Sequence, residues 1–194
     1  MASVKGRKVT FYTKPKTKKG IMVGEKKRTL SDKSIFIVHG RDDKPVQELK
    51  LILLEIGLDP IVLHEQPGGS RTIVEKIEKY SDAGFVFVIL TQDDVGGTVD
   101  SFRTALTSSA EAGLGWEDIL GDLMNFRARQ NVILEFGYFM GLLGRDRVCC
   151  LYKGEIELPS DIHGIVYMEF KESINEKRLS IMKELKEAGY RVNI

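Results

Sequence analysis

The sequence predicts an α/β fold in which helices cover both faces of a parallel sheet, and three observations lead to this prediction. Five short apolar runs recur along the chain, and stretches with helical spacing separate them. The runs are continuously apolar rather than alternating, as in strands that are buried on both faces of a sheet. Repeated alternation of strand and helix defines a three-layer sandwich. The predicted strands contain residues 35–38, 60–63, 85–90, 148–152 and 165–168.

Four stretches have the spacing of amphipathic helices. The first is predicted over 45–56, where Val46, Leu49 and Leu53 share one side and Gly57 ends the helix. The sequence places the remaining helices at 70 or 71 to 80, at 127–143, and at 177–188 with Gly189 as the C-cap. Right-handed crossovers in a chain of this size favour a flavodoxin-like sheet with the strand order 2-1-3-4-5.

Composition and charge divide the chain into two parts. With 194 residues, 42% of them hydrophobic and 29% charged, the chain has room for one globular domain and a tail. Residues 1–33 hold 11 Lys and Arg against 2 Asp and Glu, whereas residues 34–194 hold 18 against 26. We interpret 1–33 as a basic flexible tail or linker, with binding to nucleic acid or another acidic partner as the less favoured alternative. The folded domain is expected to span 34–194.

Several function classes are excluded by missing patterns. No apolar stretch of about 18 residues exists, so no membrane span is expected. The two cysteines, Cys149 and Cys150, are adjacent in the sequence, which excludes a disulfide framework and favours a reducing, cytoplasmic location. The three histidines lie in separate loops and the adjacent cysteines point to opposite faces of a strand, so no metal site is expected. Neither a P-loop nor a dinucleotide glycine fingerprint is present.

A phospho-acceptor receiver domain has the same fold but different requirements at the sheet edge. It needs an Asp at the end of the third strand and a Lys after the fifth. This chain has Thr91 at the first position, and Glu169 follows the predicted end of the fifth strand.

The predicted topology also locates a ligand. In a doubly wound sheet, ligands bind beyond the carboxyl ends of the strands where the strand order reverses, here between strands one and three. Residues 39–43 and 91–94 follow those strands, and residues 64–72 lie beside them. An insertion at 96–126 follows strand three, with possible short helices at 102–112 and 116–126. It is a lid, an oligomer contact or a mobile addition.

The third predicted helix carries the most specific signal. From Val132 to Leu143, every residue except Glu135 is apolar, aromatic or glycine. A helix that is apolar on all sides is buried, and a carboxylate there is costly unless it faces a polar cleft. Asn131 lies one turn before Glu135 on the same face. Glu135 is therefore either a functional acid or the marker of a thin solvent-facing stripe.

Five strings of residues, in the expected order, resemble the bacterial TIR-like nucleotide-binding family. Members of that family serve as effector domains of cyclic-nucleotide-triggered antiphage systems, including those fused to STING-type sensors. The resemblance covers roughly residues 34–190. The strings are 35–42 (IFIVHGRD), 63–73 (LHEQPGGSRTI), 90–97 (LTQDDVGG), 127–139 (RARQNVILEFGYF) and 158–164 (LPSDIHG).

The resemblance implies a TIR-type NAD⁺ glycohydrolase that cleaves the nicotinamide–ribose bond, with Glu135 as the catalytic residue. A carboxylate near the ribose stabilises an oxocarbenium-like transition state, and nicotinamide leaves without needing a second acid. NAD⁺ is the substrate, and no cofactor is expected. For the arginines a surface role stays open, and for the aspartates helix capping or turn formation stays open. The predicted substrate-binding residues are His39, Gly40, Arg41, Asp42, Arg71, Thr91, Asp94 and Asn131.

The resemblance also implies partners and leaves two alternatives. TIR domains assemble through TIR–TIR contacts, with residues 64–72 as the BB loop, so a homo-oligomer is expected. Residues 1–33 are too few to build a cyclic-nucleotide sensor, so the sequence leaves two alternatives: the chain is a fragment of a longer protein, or a separate sensor is a further partner. The alternatives are a non-catalytic nucleotide-binding or scaffolding module, and another N-glycosidic enzyme such as a nucleoside ribosyltransferase.

Overall fold

The computed structural model describes residues 31–62, 65, 83–112, 125–160, 162 and 164–192. Within this part, five parallel strands form one sheet, and two short strands form an antiparallel ribbon. The strands are β1 (Ser31–His39), β2 (Asp59–Val62), β3 (Ala83–Leu90), β4 (Asp94–Gly96), β5 (Asn125–Arg127), β6 (Val148–Lys153) and β7 (Val166–Phe170). The order of the main sheet is β2-β1-β3-β6-β7, which confirms the predicted flavodoxin-like order.

Four α-helices lie in the described residues: α1 (Asp43–Glu55), α2 (Val99–Ala112), α3 (Gln130–Leu143) and α4 (Arg178–Glu187). Gly57 and Gly189, which follow α1 and α4, have φ values of +78° and +94°, the left-handed conformation that glycine tolerates at helix ends. The helix predicted from 70 or 71 to 80 lies outside the described residues. The insertion helix predicted at 102–112 is part of α2, whereas most of the one predicted at 116–126 lies outside.

Two apolar cores form because alternate strand residues point to opposite faces of the sheet. Ile35 and Ile37 of β1 face a core completed by α1 and α4, and Phe36 and Val38 face the core that contains α3. Phe36 packs on Phe139 of α3 with a ring-centroid distance of 4.9 Å. Together with the other residues of this core, the contact holds α3 against the face of the sheet.

The two adjacent cysteines illustrate the same alternation. Cys149 belongs to the core under α1 and α4, and Cys150 belongs to the core under α3. Both are buried free thiols, and burial raises the pKa of each. The expectation that they point to opposite faces is confirmed.

The structure corrects two predicted boundaries. Residue Arg127 is the last residue of β5 and not the first of a helix, because β5 pairs with β4 in the register Asp94↔Arg127 and Val95↔Phe126. Helix α3 therefore begins at Gln130. Strand β7 runs on to Phe170, so Lys171 follows the fifth strand of the sheet directly, contrary to the argument from Glu169. Thr91 still follows β3, where a receiver domain needs an aspartate.

None of the helices in the described residues is long and apolar enough to cross a membrane.

Candidate active site

One carboxylate, that of Asp93, joins the loops that follow β1 and β3. Its Oδ1 accepts a hydrogen bond from the Thr91 hydroxyl at 2.9 Å, and both oxygens accept from the Arg41 backbone N–H at 3.2 and 3.3 Å. The Asp93 backbone N–H lies 2.8 Å from the Thr91 carbonyl oxygen and 3.1 Å from that of Arg127. Asp93 therefore ties together the ends of β1, β3 and β5.

Gly40 makes this connection possible. A Cβ atom at Gly40 would lie 1.6 Å from Asp93 Oδ2, so no residue with a side chain fits there unless the carboxylate moves. The sequence pattern predicts Asp94 as a site residue and does not predict Asp93. The available signal is the Thr-x-Asp spacing after a buried strand, since Thr and Asp side chains often bond to nearby backbone in turns.

Asp42 has two partners, which show whether it caps a helix, the alternative to substrate binding that the sequence leaves open. Its Oδ1 accepts from the Lys44 backbone N–H at 3.1 Å, so Asp42 caps α1, and its Oδ2 lies 2.9 Å from Lys153 Nζ. The capping role is therefore present. Asp42 also lines a cleft of about 360 Å³ with Lys153, Lys171 and four further residues. Neither lysine is predicted from the sequence, because its position at the cleft depends on the residue at which the strand ends.

The β4–β5 ribbon adds a second cleft, of about 450 Å³, at the start of α3. Asp94 is half-buried and lines this cleft, which lies beside Gln130, the first residue of α3. A third cleft, of about 290 Å³, is also lined by Gln130. It includes the ion pair of Arg127 and Glu157, whose Nε and Oε2 atoms are 2.7 Å apart. Hydrogen bonding to Arg127 lowers the pKa of Glu157.

Glu135 is the most perturbed carboxyl group near this edge. Only 2% of the residue is exposed, so the alternative of a solvent-facing stripe is wrong. Burial raises its pKa from 4.5 to about 7, and the positive charge of Arg129 acts in the opposite direction. Its Oε1 atom has no hydrogen-bond partner among the described residues. A buried carboxyl group of this kind is a common feature of active sites.

The other predicted contact residues differ in exposure. His39, Gly40 and Thr91 are buried at the ends of β1 and β3. Arg41 and Asn131 are exposed, so Asn131 and Glu135 differ in burial although they lie one turn apart on α3. The prediction for Arg71 falls outside the described residues. Glu135 lines none of the three clefts given above.

The chemistry at this edge is that of acids, amides and a few cations. Among the residues that the structure describes, no group of three or more His, Cys, Asp or Glu side chains is placed to hold a metal ion. The carboxyl end of the sheet brings together hydrogen-bond acceptors for hydroxyl and amino groups, and α3 supplies a carboxyl group with a pKa near neutrality. The fold and this edge together define a flavodoxin-like α/β domain with a candidate site at the switch point.

Comparison with known proteins identifies the family. The model of the family described as "CAP12/Pycsar effector protein, TIR domain" matches residues 34–172. The chain therefore belongs to this family of TIR domains, which confirms the resemblance seen in the five strings.

Two relatives show how the chain compares in length. The uncharacterized protein YuaY of Escherichia coli (strain K12) is 42% identical over 158 residues, which make up 81% of this chain and 46% of YuaY. Protein tirC of Dictyostelium discoideum is 32% identical over 149 residues, 73% of this chain and 66% of tirC. The chain thus spans about half of the length of one relative and about two thirds of the other.

Proposed function

We propose that this chain is a TIR-type NAD⁺ glycohydrolase domain of a defence effector and that it cleaves the bond between nicotinamide and ribose. The observation that carries the proposal is Glu135, a carboxyl group 2% exposed with a pKa of about 7, on the helix where the family strings predict the catalytic acid. Membership of an effector TIR family supports the same activity. A structural role alone gives no reason to retain so costly a group.

The proposed reaction needs one carboxylate and one water molecule. The C1′–N bond breaks and its electron pair leaves with nicotinamide, which becomes neutral. Positive charge develops on the ribose ring, and the ionised carboxylate of Glu135, which is shielded from bulk solvent, stabilises it. Water then attacks C1′ and releases one proton, giving ADP-ribose. Each step balances without a cofactor.

The remaining predicted residues have supporting roles in this proposal. Asp94 and Asn131 are suited to accept or donate hydrogen bonds with hydroxyl and amino groups, and Arg41 to meet the pyrophosphate. Lys153 and Lys171 are two further cations at the same edge. We also propose that Arg71 contacts the pyrophosphate, as predicted from the sequence.

Assembly and regulation are part of the same proposal. TIR–TIR contacts form a homo-oligomer that activates cleavage, and a separate cyclic-nucleotide sensor supplies the trigger. Antiphage defence is the setting in which such an effector acts, since its activity depletes NAD⁺. The family name and the greater length of both relatives support an effector that works with further segments or partners.

The test measures nicotinamide release from NAD⁺ at high protein concentration. Wild type is compared with Glu135→Gln, which keeps the shape of the side chain but cannot ionise, and with Glu172→Gln as a control at an exposed position. We expect release by wild type and by the control and none by Glu135→Gln. Release by all three proteins at equal rates contradicts the proposal.

A second candidate function is a non-catalytic nucleotide-binding or scaffolding module. The observation that favours it is the burial of Glu135, which lines none of the three described clefts. This candidate predicts nucleotide-dependent stabilisation or assembly with no release of nicotinamide, even when the protein is tethered into arrays. Release from tethered wild type excludes it.

A further inference from the structure

The cleft at the start of α3 has one apolar wall. Val95 of β4 and Phe126 of β5 lie directly opposite each other in the antiparallel register, and they are 58% and 47% exposed. Both line the cleft of about 450 Å³. Side chains at opposed positions of an antiparallel pair lie side by side on one face of the ribbon. The pair therefore presents a small exposed apolar platform with an aromatic ring.

The rest of this cleft is polar and carries no cation among its described lining. Asp93 and Asp94 contribute carboxylates, and Gln92 and Gln130 contribute amides. Asp93 is occupied by Thr91 and the Arg41 backbone, and the Gln92 Nε2 atom donates to the Glu155 carbonyl oxygen at 2.9 Å. The groups left to face a ligand are a carboxylate at Asp94 and an amide at Gln130.

This combination selects the chemical class of the ligand. A phosphate needs cations, and the lysines of this edge line the neighbouring cleft, which shares Gln92 and Asp93 with this one. A flat heteroaromatic ring stacks on an aromatic side chain whatever its substituents. An exocyclic amino group on that ring donates to a carboxylate, and a glutamine amide pairs with the ring edge of adenine through one donor and one acceptor.

We propose that the Val95–Phe126 pair, with Asp94 and Gln130, is a subsite for the adenine ring of a dinucleotide. The inference rests on the proposed function, since NAD⁺ carries one reacting ring and one adenine. Gln130 and Glu135 are five residues apart on α3, a rise of about 7.5 Å along the helix. This rise is shorter than an extended dinucleotide, which also has to pass around α3 because the two side chains point about 140° apart.

The test titrates the whole chain with AMP and with nicotinamide mononucleotide, and binding is followed by ligand-observed NMR. Phe126→Ala is compared with Phe102→Ala, because Phe102 is also an exposed phenylalanine of the 96–126 segment, 39% exposed, and does not line the cleft. We expect Phe126→Ala to raise the Kd for AMP about tenfold, as for the loss of one stacked base. Phe102→Ala leaves the Kd unchanged, and neither variant changes binding of nicotinamide mononucleotide.

A second variant tests the hydrogen bond instead of the stacking. Inosine monophosphate has a carbonyl oxygen where AMP has an amino group, so the Asp94 carboxylate favours AMP and repels its analogue. We expect wild type to prefer AMP and Asp94→Asn to lose most of that preference. The ratio of the Kd values for inosine monophosphate and AMP tests the subsite even if Phe126→Ala disturbs the β4–β5 ribbon.

The outcomes separate this inference from the glycohydrolase. Wild type that releases nicotinamide, together with AMP binding that is equal in wild type and Phe126→Ala, overturns the adenine subsite and leaves the enzyme intact. Failure of wild type to bind AMP also overturns it. AMP binding that depends on Phe126, without nicotinamide release, supports the subsite and contradicts the glycohydrolase.

Discussion

Replacing Glu135 with glutamine is expected to stabilise the protein at pH 8 and to have a much smaller effect at pH 5. The carboxyl group has a pKa of about 7 in the folded chain and an ordinary value of 4.5. As the pH rises above 4.5, the unfolded chain releases this proton freely while the folded chain retains it. The folded state therefore loses stability between pH 4.5 and pH 7, and the loss is constant above pH 7.

The size of the effect follows from the two pKa values. The raised pKa of Glu135 lowers the free energy of unfolding by about 3 kcal/mol at pH 8 and by about 1 kcal/mol at pH 5. Glutamine cannot ionise, so its advantage over Glu135 grows by about 2–3 kcal/mol between the two pH values. For a chain of this length that difference corresponds to about 5–10 °C in Tm. Any change in packing or hydrogen bonding that the amide introduces is the same at both pH values. It therefore cancels when the difference in stability at pH 5 is subtracted from the difference at pH 8.

The assay is equilibrium urea unfolding of wild type, Glu135→Gln and Glu172→Gln at pH 5, 6, 7 and 8, followed by circular dichroism. Glu172 is exposed, so its variant tracks wild type throughout. A difference between Glu135→Gln and wild type that stays constant from pH 5 to pH 8 refutes the reasoning. It shows that the folded chain ionises Glu135 as easily as the unfolded chain does.

Three further measurements test other parts of the structure. Gly40→Ala forces the hydrogen-bonded carboxylate of Asp93 to move, and we expect it to lower the free energy of unfolding in urea by about 1–3 kcal/mol. Gly137 is exposed on α3 with open space beside it, so we expect Gly137→Ala to raise the free energy of unfolding by about 0.5–1 kcal/mol. Equal effects of the two substitutions contradict the close contact. Glu176 accepts three backbone N–H groups, which lower its pKa to about 2, so Glu176→Gln lowers Tm at pH 7 and the gap to wild type closes between pH 4.5 and pH 2. If the gap does not depend on pH, the carboxylate is not what caps this turn. In nicotinamide release, kcat/KM rises with pH and levels off above about 7 as Glu135 ionises; a profile that is flat from pH 5 to pH 8 argues against its role.

The main sheet was predictable because its signal is local. Each strand of a buried parallel sheet is a continuous apolar run, so residues 35–38 and 85–90 identify β1 and β3 without knowledge of their neighbours. The β4–β5 ribbon gives no such signal. Its strands are three residues long and 28 residues apart, and their pairing depends on contacts that no window of sequence contains. For that reason the sequence pattern places Arg127 in a helix rather than in a strand.

The candidate site was predictable in its location and less so in its details. The topology places the carboxyl ends of β1 and β3 together, which identifies the loops at Gly40 and Thr91. Which aspartate joins the two loops depends on the turn after β3, and a shift of one position separates Asp93 from Asp94. Lys153, the last residue of β6, and Lys171, which follows β7, are not predicted from the sequence because a strand end is uncertain by one or two residues. Strand β7 extends two residues beyond the predicted end at Met168, and this brings Lys171 to the edge.

Two carboxyl groups near this edge occupy opposite environments, and the contrast supports a structural role for Asp93 and the chemical role proposed for Glu135. Asp93 accepts hydrogen bonds from the Arg41 backbone and from Thr91, so its charge is stabilised by groups that also hold two loops in place. Glu135 is buried, and its Oε1 atom has no hydrogen-bond partner among the described residues. A carboxylate whose charge is already stabilised by hydrogen bonds interacts more weakly with a developing cation. A desolvated carboxylate interacts with such a cation strongly. In the proposed mechanism, a positive transition state beside Glu135 recovers part of the stability that this carboxylate costs above pH 7.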